Sequence, residues 1–346
     1  MHHARLLPGL ALTAALAAAA MMLGGLGWFL SHGLSALTVA ILLGIAIGNS
    51  VYPRLAARSD SGVAFSKQTL LRAGVVLYGL RLTLHDVGHV GVAGVLIDAL
   101  VILTTFGLAH ALARIIGLDR TSATLIGAGS AICGAAAVMA TEPVVGARPE
   151  QVTIAVSTVV VFGTLSMFLY PFLYDLNLHW ALLPAGADAF GIYAGSTIHE
   201  VAQVVAAGRS VSAATANTAV ITKLVRVMML APFLIALSGL LRATPAGRAA
   251  AAAGNERRLP LPWFAFGFIA IVLFNSLELL PARVLSAANQ VDTLLLAMAM
   301  AALGLCTHVG AVRAAGLKPL LLGGLLFVWL IVGGGSINRI VGGWLA

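Results

Sequence analysis

The sequence predicts an all-α protein that crosses a membrane many times, and three observations carry that reading. Of its 346 residues, 60% are hydrophobic and only 9% charged, with a mean hydropathy of +1.01; no soluble domain of this size sustains that balance on its surface. The apolar residues also fall into blocks long enough to cross about 30 Å of hydrocarbon. Finally, a signature occurs twice in equally apolar sequence, as Gly129-Ser130-Ala131-Ile132 and again as Gly195-Ser196-Thr197-Ile198. Glycine weakens a helix at both places, and a helix broken at membrane depth persists only where protein or water covers its backbone.

The apolar spans lie near residues 8–30, 34–52, 65–82, 89–112, 150–174, 211–241, 261–280, 290–307 and 316–345. The first follows His2, His3 and Arg5 as a secretory signal would. It is longer than the usual core of roughly 7–15 residues and more spans follow, so a first transmembrane helix is expected. With the signature segments 121–142 and 188–207 the chain has about 10–11 transmembrane elements. They form a single domain over 1–346: an N-terminal part, 1–242, with both motifs, a cytoplasmic linker at 243–258, and C-terminal helices at 259–346.

Orientation follows from the loops. Arg54, Arg58 and Lys67 fall in one, Arg114 and Arg120 in another, Arg242, Arg248, Arg257 and Arg258 in a third, Arg313 and Lys318 in a fourth. Basic loops are kept on the cytoplasmic side, which puts the N-terminus inside and the C-terminus outside. The formal charge of +8 is scattered over these loops, which suits lipid headgroups and not nucleic acid. Cys133 and Cys306 lie in apolar stretches and read as small hydrophobes.

An internal repeat is also visible. Residues 40–51 (AILLGIAIGNSV) resemble 266–277 (FGFIAIVLFNSL), and Leu70-Leu71 through Gly79-Leu80 resembles Leu295-Leu296 through Gly304-Leu305. An odd number of spans separates the copies, which predicts inverted topology. The signature segments themselves are either broken crossing helices or re-entrant hairpins. Their lengths of roughly 20 residues suit crossing; the absence of lysine and arginine from 175–188 suits an external loop and hence hairpins. Crossing is the preferred expectation.

The motifs also suggest chemistry. In the first segment, opened backbone at Gly129, Ile132, Cys133 and Gly134 leaves amides that suit an anion, with the Ser130 hydroxyl as a further donor; tight helix packing through small residues is the competing reading. Glu142, before Pro143, suits a helix end. In the second, Gly195, Ser196 and Thr197 run into His199, Glu200 and Gln203, and ionisable groups at membrane depth mark a pathway. His199 with Glu200 could gate proton movement. The HExxQ spacing departs from the zinc motif HExxH, because Gln203 replaces the second histidine.

Lys223 and Arg226 share a helix face three residues apart. They either snorkel to headgroups or favour an anionic substrate, Arg226 matching two oxygens of a sulfate or carboxylate. Asn217 is expected to line the same cavity. Asp98 is a lone carboxylate within a span, suited to a coupling ion or to pairing with a neighbouring helix.

The motifs GSAICGAAAV, GSTIHEVAQVVAAG, KLVRVMMLAP and AMAALGLCTHVGAVRAAGLKPL together resemble the bacterial YeiH-type family of conserved hypothetical membrane proteins, which carries a sulfate-exporter label. The resemblance runs from about Leu34 to the C-terminus. It implies an inner-membrane transporter similar in architecture to bile-acid:sodium symporters and sodium/proton antiporters. His199-Glu200, Lys223 and Arg226 match its motifs, whereas Ala135 to Ala137 lacks the serine expected there.

The expected function is secondary transport of a small anion, a sulfate or related sulfonate or carboxylate, by alternating access with proton coupling. Gly129, Ser130, Ile132, Cys133, Gly134, Gly195, Ser196, Thr197, Asn217, Lys223 and Arg226 form the expected substrate site. His199, Glu200, Gln203, Asp98 and Glu142 are the expected coupling groups. The expected partners are the anion, a proton or sodium ion, the bilayer and a second copy in a homodimer; no cofactor, metal or nucleic acid is expected. The alternatives are a cation-coupled symporter of an organic anion using Asp98 and Glu142, and an intramembrane hydrolase with Ser130, Ser196 or Cys133 as nucleophile.

Overall fold

The computed structural model describes residues 2–26, 35–180, 186–242, 263–307, 310 and 316–345. The hinge expected at 243–258 lies outside them. Every long element described is helical. Helix α1 is His2–Gly24 and α2 is Ala36–Gly48. Helix α3, Tyr52–Phe65, opens with proline in its first turn and passes through a π-helical turn at Ser66–Leu70 into α4, Leu71–Tyr78. The segment with Arg54 and Arg58, expected as a loop, is therefore helical: the tolerance for proline at a helix start outweighs its polar composition.

Helix α5, Leu84–Ile116, starts at a reciprocal Thr83–Asp86 capping box, kinks at Gly91 and stops at left-handed Gly117. The first signature segment is two helices, α6 (Arg120–Ala131) and α7 (Ala135–Val145). After α8, Pro149–Trp180, the second segment is likewise two, α9 (Ala187–Thr197) and α10 (Val201–Val211). Helices α11 (Ala213–Met228) and α12 (Leu230–Arg242) follow almost in line. The chain closes with α13 (Trp263–Asn275), α14 (Ala282–Cys306) and α15 (Leu317–Leu345).

Six described helices are long and apolar enough to cross a membrane on their own, counting α11 with α12 as one; α2, α7 and α13 are shorter apolar helices. Side-chain bonds sort the turns into two ends. Asn49 Nδ2 donates to Thr307 O at 3.1 Å, Lys318 Nζ to Gly117 O at 3.1 Å, and Gln151 Nε2 to Asp119 Oδ1 at 2.9 Å. These tie together the turns near Arg114, Arg120, Arg148 and Lys318, the basic end. At the opposite end Leu84 N donates to Ser276 Oγ at 2.8 Å, Asn275 Nδ2 to Leu82 O at 2.9 Å and Tyr78 OH to Asn217 Oδ1 at 2.9 Å.

Those bonds decide how the signature segments run. Asp119 precedes α6 and Gln151 follows α7, yet they touch, so the chain enters from the basic end and returns to it. A methyl group on Gly129 would meet Val138 of the returning helix at 2.8 Å. The second segment does the same from the opposite end: Thr218 Oγ1, near the start of α11, donates to Asp188 Oδ1 at the start of α9 at 2.8 Å, and Thr38 pairs with Ser210 at 3.1 Å. Both are re-entrant hairpins, and the preferred expectation of crossing is corrected. The matched repeats also run in opposite directions, α2 against α13 and α3–α4 against α14.

Packing divides the bundle. Helices α1 to α4 associate with α13 and α14, while α5 to α12 associate with α15, and few contacts join the two groups.

Candidate functional site where two hairpins meet

The hairpin turns are built from the signatures themselves. Helix α6 ends as Ile132 leaves helical geometry, and Gly134 N donates back to Gly129 O at 2.8 Å to close the turn. Gly134 has φ of 65°, and a methyl group there would lie 2.5 Å from Glu200 Cγ, so only glycine fits. Helix α9 ends at extended Ile198, and α10 starts after extended Glu200.

Both first helices end in carbonyls with no helical partner, carrying partial negative charge inside the bundle. Two cations of α11 satisfy them. Lys223 Nζ donates to Ile132 O and to Ile198 O, each at 2.6 Å. Arg226 donates from Nη2 to Ser130 O at 3.0 Å and from Nη1 to Ser196 O. Each cation therefore bonds the same signature position in both hairpins. Both side chains are 0% exposed, so neither snorkels. Lys223 Nζ and both terminal nitrogens of Arg226 are thus engaged with backbone.

The return helices are held by Glu200. Its Oε1 accepts Ala135 N at 3.3 Å, at the start of α7, and its own amide donates to Gln203 Oε1 at 3.1 Å. A carboxylate thus stands where the first segment's free amides were expected to meet an anion. Ser196 Oγ donates to Tyr193 O at 3.1 Å and accepts from Asn338 Nδ2 at 3.0 Å, while Thr197 Oγ1 accepts from Tyr170 at 2.8 Å. Cys133 is a buried free thiol.

Several buried polar atoms here have no partner among the described residues: Ser130 Oγ, both ring nitrogens of His199, Gln203 Nε2, Arg226 Nε and both oxygens of Asp98. Asp98 lies on α5, fully buried, and interacts electrostatically with Arg226 and Lys223. The ring of His199 faces Phe327 of α15 at 6.5 Å between centroids.

Two expected residues lie elsewhere. Asn217 is bonded to Tyr78 at the opposite end, and Glu142 sits in the last turns of α7 near the basic end. Asp98 and Glu142 thus do not form one ion site, and no group of three or more His, Cys, Asp or Glu among the described residues could hold a metal ion. Sequence reading missed Tyr170, Asn338 and a second cluster around Tyr78 at the end opposite the basic one. There Arg81 pairs with Asp292 at 2.7 Å, and Arg81 and Arg209 both lie over the Tyr78 ring. Asn338 and Asp292, polar residues inside apolar spans, were the available signals.

An all-α bundle with several membrane-length helices, closed around two opposed hairpins and a buried charged centre, defines a polytopic membrane protein. The chain belongs to the family described as Conserved hypothetical protein 698, whose model matches residues 8–323. It is 59% identical over 337 residues to a UPF0324 membrane protein of Pseudomonas aeruginosa, covering 97% of this chain and 94% of the relative. It is 54% identical over 342 residues to a UPF0324 membrane protein of Yersinia pestis, covering 97% and 93%. Over 336 residues it is 51% identical to the UPF0324 inner membrane protein YeiH of Escherichia coli K12, covering 97% and 94%. No solved structure matches the chain.

Proposed function

We infer that this protein is a secondary transporter that carries a small anion, sulfate or a related sulfonate or carboxylate, across the bacterial inner membrane by alternating access. The observation that carries the reading is the pair of hairpins entering from opposite ends and meeting on Lys223 and Arg226. Non-helical backbone at membrane depth has a use where it flanks a pathway, and discontinuous helices around a central site are a recurring transporter device.

The division of helices into two loosely joined groups supplies bodies that can rock against each other. Around the cations the unpartnered groups include several donors: the Ser130 hydroxyl, Arg226 Nε and Gln203 Nε2 can donate, and a His199 ring nitrogen can as well. Those donors beside two cations suit an anion, and Asp98 is the unpartnered carboxylate that acts on the same cations. The inner-membrane placement follows the name of the E. coli relative, and the basic end is assigned to the cytoplasm by its arginines and lysines, with the C-terminus periplasmic. Transport involves no covalent step, and the protein is not an enzyme on this reading.

The test is sulfate flux in vesicles reconstituted with the full chain, with and without a pH gradient. Saturable flux that responds to the gradient supports the reading. Flux no greater than in empty vesicles, repeated with organic sulfonates and carboxylates, removes it.

A further inference from the structure

The central charges do not all find partners, and the exception is specific. Lys223 and the two terminal nitrogens of Arg226 are bonded to carbonyls, and Glu200 accepts from Ala135 N. Asp98 alone keeps both carboxylate oxygens unpartnered while fully buried. An ionised carboxylate in that position is expensive unless a positive charge balances it. Arg226 and Lys223 are the charged groups that act on it, and the remaining nitrogen of Arg226, Nε, is also unpartnered. Asp98 and Arg226 Nε are thus two buried, unpartnered groups of opposite charge on helices that pack together, α5 and α11, with no hydrogen bond between them.

On the other helices packed against α5, the charged residue at about this depth is Arg339, since Ile337 and Val341 of α15 pack with Ile97 and Val101, and Arg339 itself is exposed. Arg120 and Asp188 stand in the first turns of α6 and α9, Lys318 in the first turn of α15 and Arg339 in its last two turns. Around Lys223 and Arg226 themselves lie Glu200, Cys133 and Tyr170; His199 is held in the turn between α9 and α10.

We propose that Asp98 is the proton-carrying group of the transport cycle, and that its carboxylate and the substrate anion compete to balance the charge of Arg226. This rests on the transport reading above. With Asp98 ionised, its charge offsets Arg226 and an anion gains little. When one carboxylate oxygen takes a proton from hydronium, an O–H bond forms on Asp98 as one O–H bond of the hydronium breaks to leave water, that offset disappears, and Arg226 carries a charge that an anion can balance. Anion and proton then move together, and on the far side the Asp98 O–H bond breaks as the proton forms an O–H bond with a water molecule, giving hydronium again. A sodium ion fits less well, because it would need several oxygen ligands beside two fixed positive charges; a proton needs one oxygen.

The experiment compares wild type, Asp98→Asn and Asp98→Glu, each as the full chain in lipid vesicles, with sulfate as the probe. Sulfate affinity of the wild type should rise about tenfold per pH unit of acidification above the Asp98 titration, the signature of one linked proton. Asp98→Asn, which imitates the protonated state, should lose that dependence, and Asp98→Glu should keep it with a shifted midpoint. An Asp98→Asn variant whose affinity still follows pH as the wild type does overturns the proposal. Infrared difference spectra between acid and alkaline samples supply a readout independent of transport. A buried carboxyl band should be present in wild type, missing in Asp98→Asn and displaced in Asp98→Glu. If wild type binds no anion, the transport reading fails on its own, and the band then decides Asp98: its absence in wild type, or its persistence in Asp98→Asn, overturns the assignment.

Discussion

The two hairpins are alike at one helix end and unlike at the other. Where α6 and α9 stop, the same signature positions present carbonyls to the same two cations, so Ser130 matches Ser196 and Ile132 matches Ile198. Where the return helices begin, the symmetry fails. The second hairpin supplies Glu200 and Gln203, while the first has Gly134 and a run of alanines, with its Ala135 amide bonded to the other hairpin's Glu200. The first hairpin is therefore completed by the second. The difference teaches that the duplicated signature encodes a shared need, partners for helix-end carbonyls, whereas HExxQ encodes an asymmetric one.

The largest effect should come from removing what the hairpins share. Lys223→Ala or Arg226→Ala leaves carbonyls of both hairpins unpaired and the remaining charges unbalanced, a loss of about 3–5 kcal/mol. Thermal unfolding in detergent should show both variants strongly destabilised, with hydrogen exchange accelerated at the two turns alike. Acceleration confined to one turn would contradict the shared clamp. Arg226→Lys should recover only part of the loss, because a single ammonium nitrogen lacks the spread of the two guanidinium nitrogens with which Arg226 reaches Ser130 O and Ser196 O separately.

A smaller effect should expose the asymmetry. Glu200→Gln keeps the shape and removes the charge that faces the start of α7, a loss of about 1–2 kcal/mol. Amide exchange should rise at residues 135–138 of the first hairpin, although the substitution lies in the second. Protection unchanged there would mean that Glu200 does not support the first hairpin.

The smallest effect concerns the outer end of the first hairpin alone. Asp119 caps α6 by accepting Ser122 N at 2.9 Å and also accepts from Gln151. Partial burial pushes its carboxyl up, but hydrogen bonds from Ser122 and from the amides of Asp119 and Thr121 outweigh that and hold it below the usual carboxylate range. Because the folded value is depressed, its stabilisation is present above the unfolded pKa of about 3.9 and is lost as the pH falls through the folded value. Asp119→Ala should cost about 1 kcal/mol at neutral pH. The gap between variant and wild type should close in acid, as read by melting temperature across a pH series.

Much of the plan was legible in the residues. Hydropathy located the long spans, the doubled glycine signature located both breaks, and His199, Glu200, Lys223 and Arg226 were singled out because charge is scarce at membrane depth. The 175–188 stretch even held the clue to re-entry, since a turn free of lysine and arginine belongs at the opposite end from the basic loops; length argued the other way and was given more weight. Length could not decide, because two half-helices occupy as many residues folded back as laid end to end. Asn217 was misplaced for a related reason: sharing a helix with Arg226 did not put the two at one depth.

What the sequence by itself determined is local: which segments are helical and apolar, where glycine interrupts them, and which charges are too expensive to leave exposed to lipid. Those properties depend on neighbours along the chain. Only the tertiary structure decided that Lys223 and Arg226 are spent on carbonyls of two distant turns, that Glu200 serves the other hairpin, and that Asp98 is left as the unbonded carboxylate of the centre. Each depends on which groups meet once the helices pack, and a cation looks the same in sequence whether it awaits a ligand or already holds the backbone.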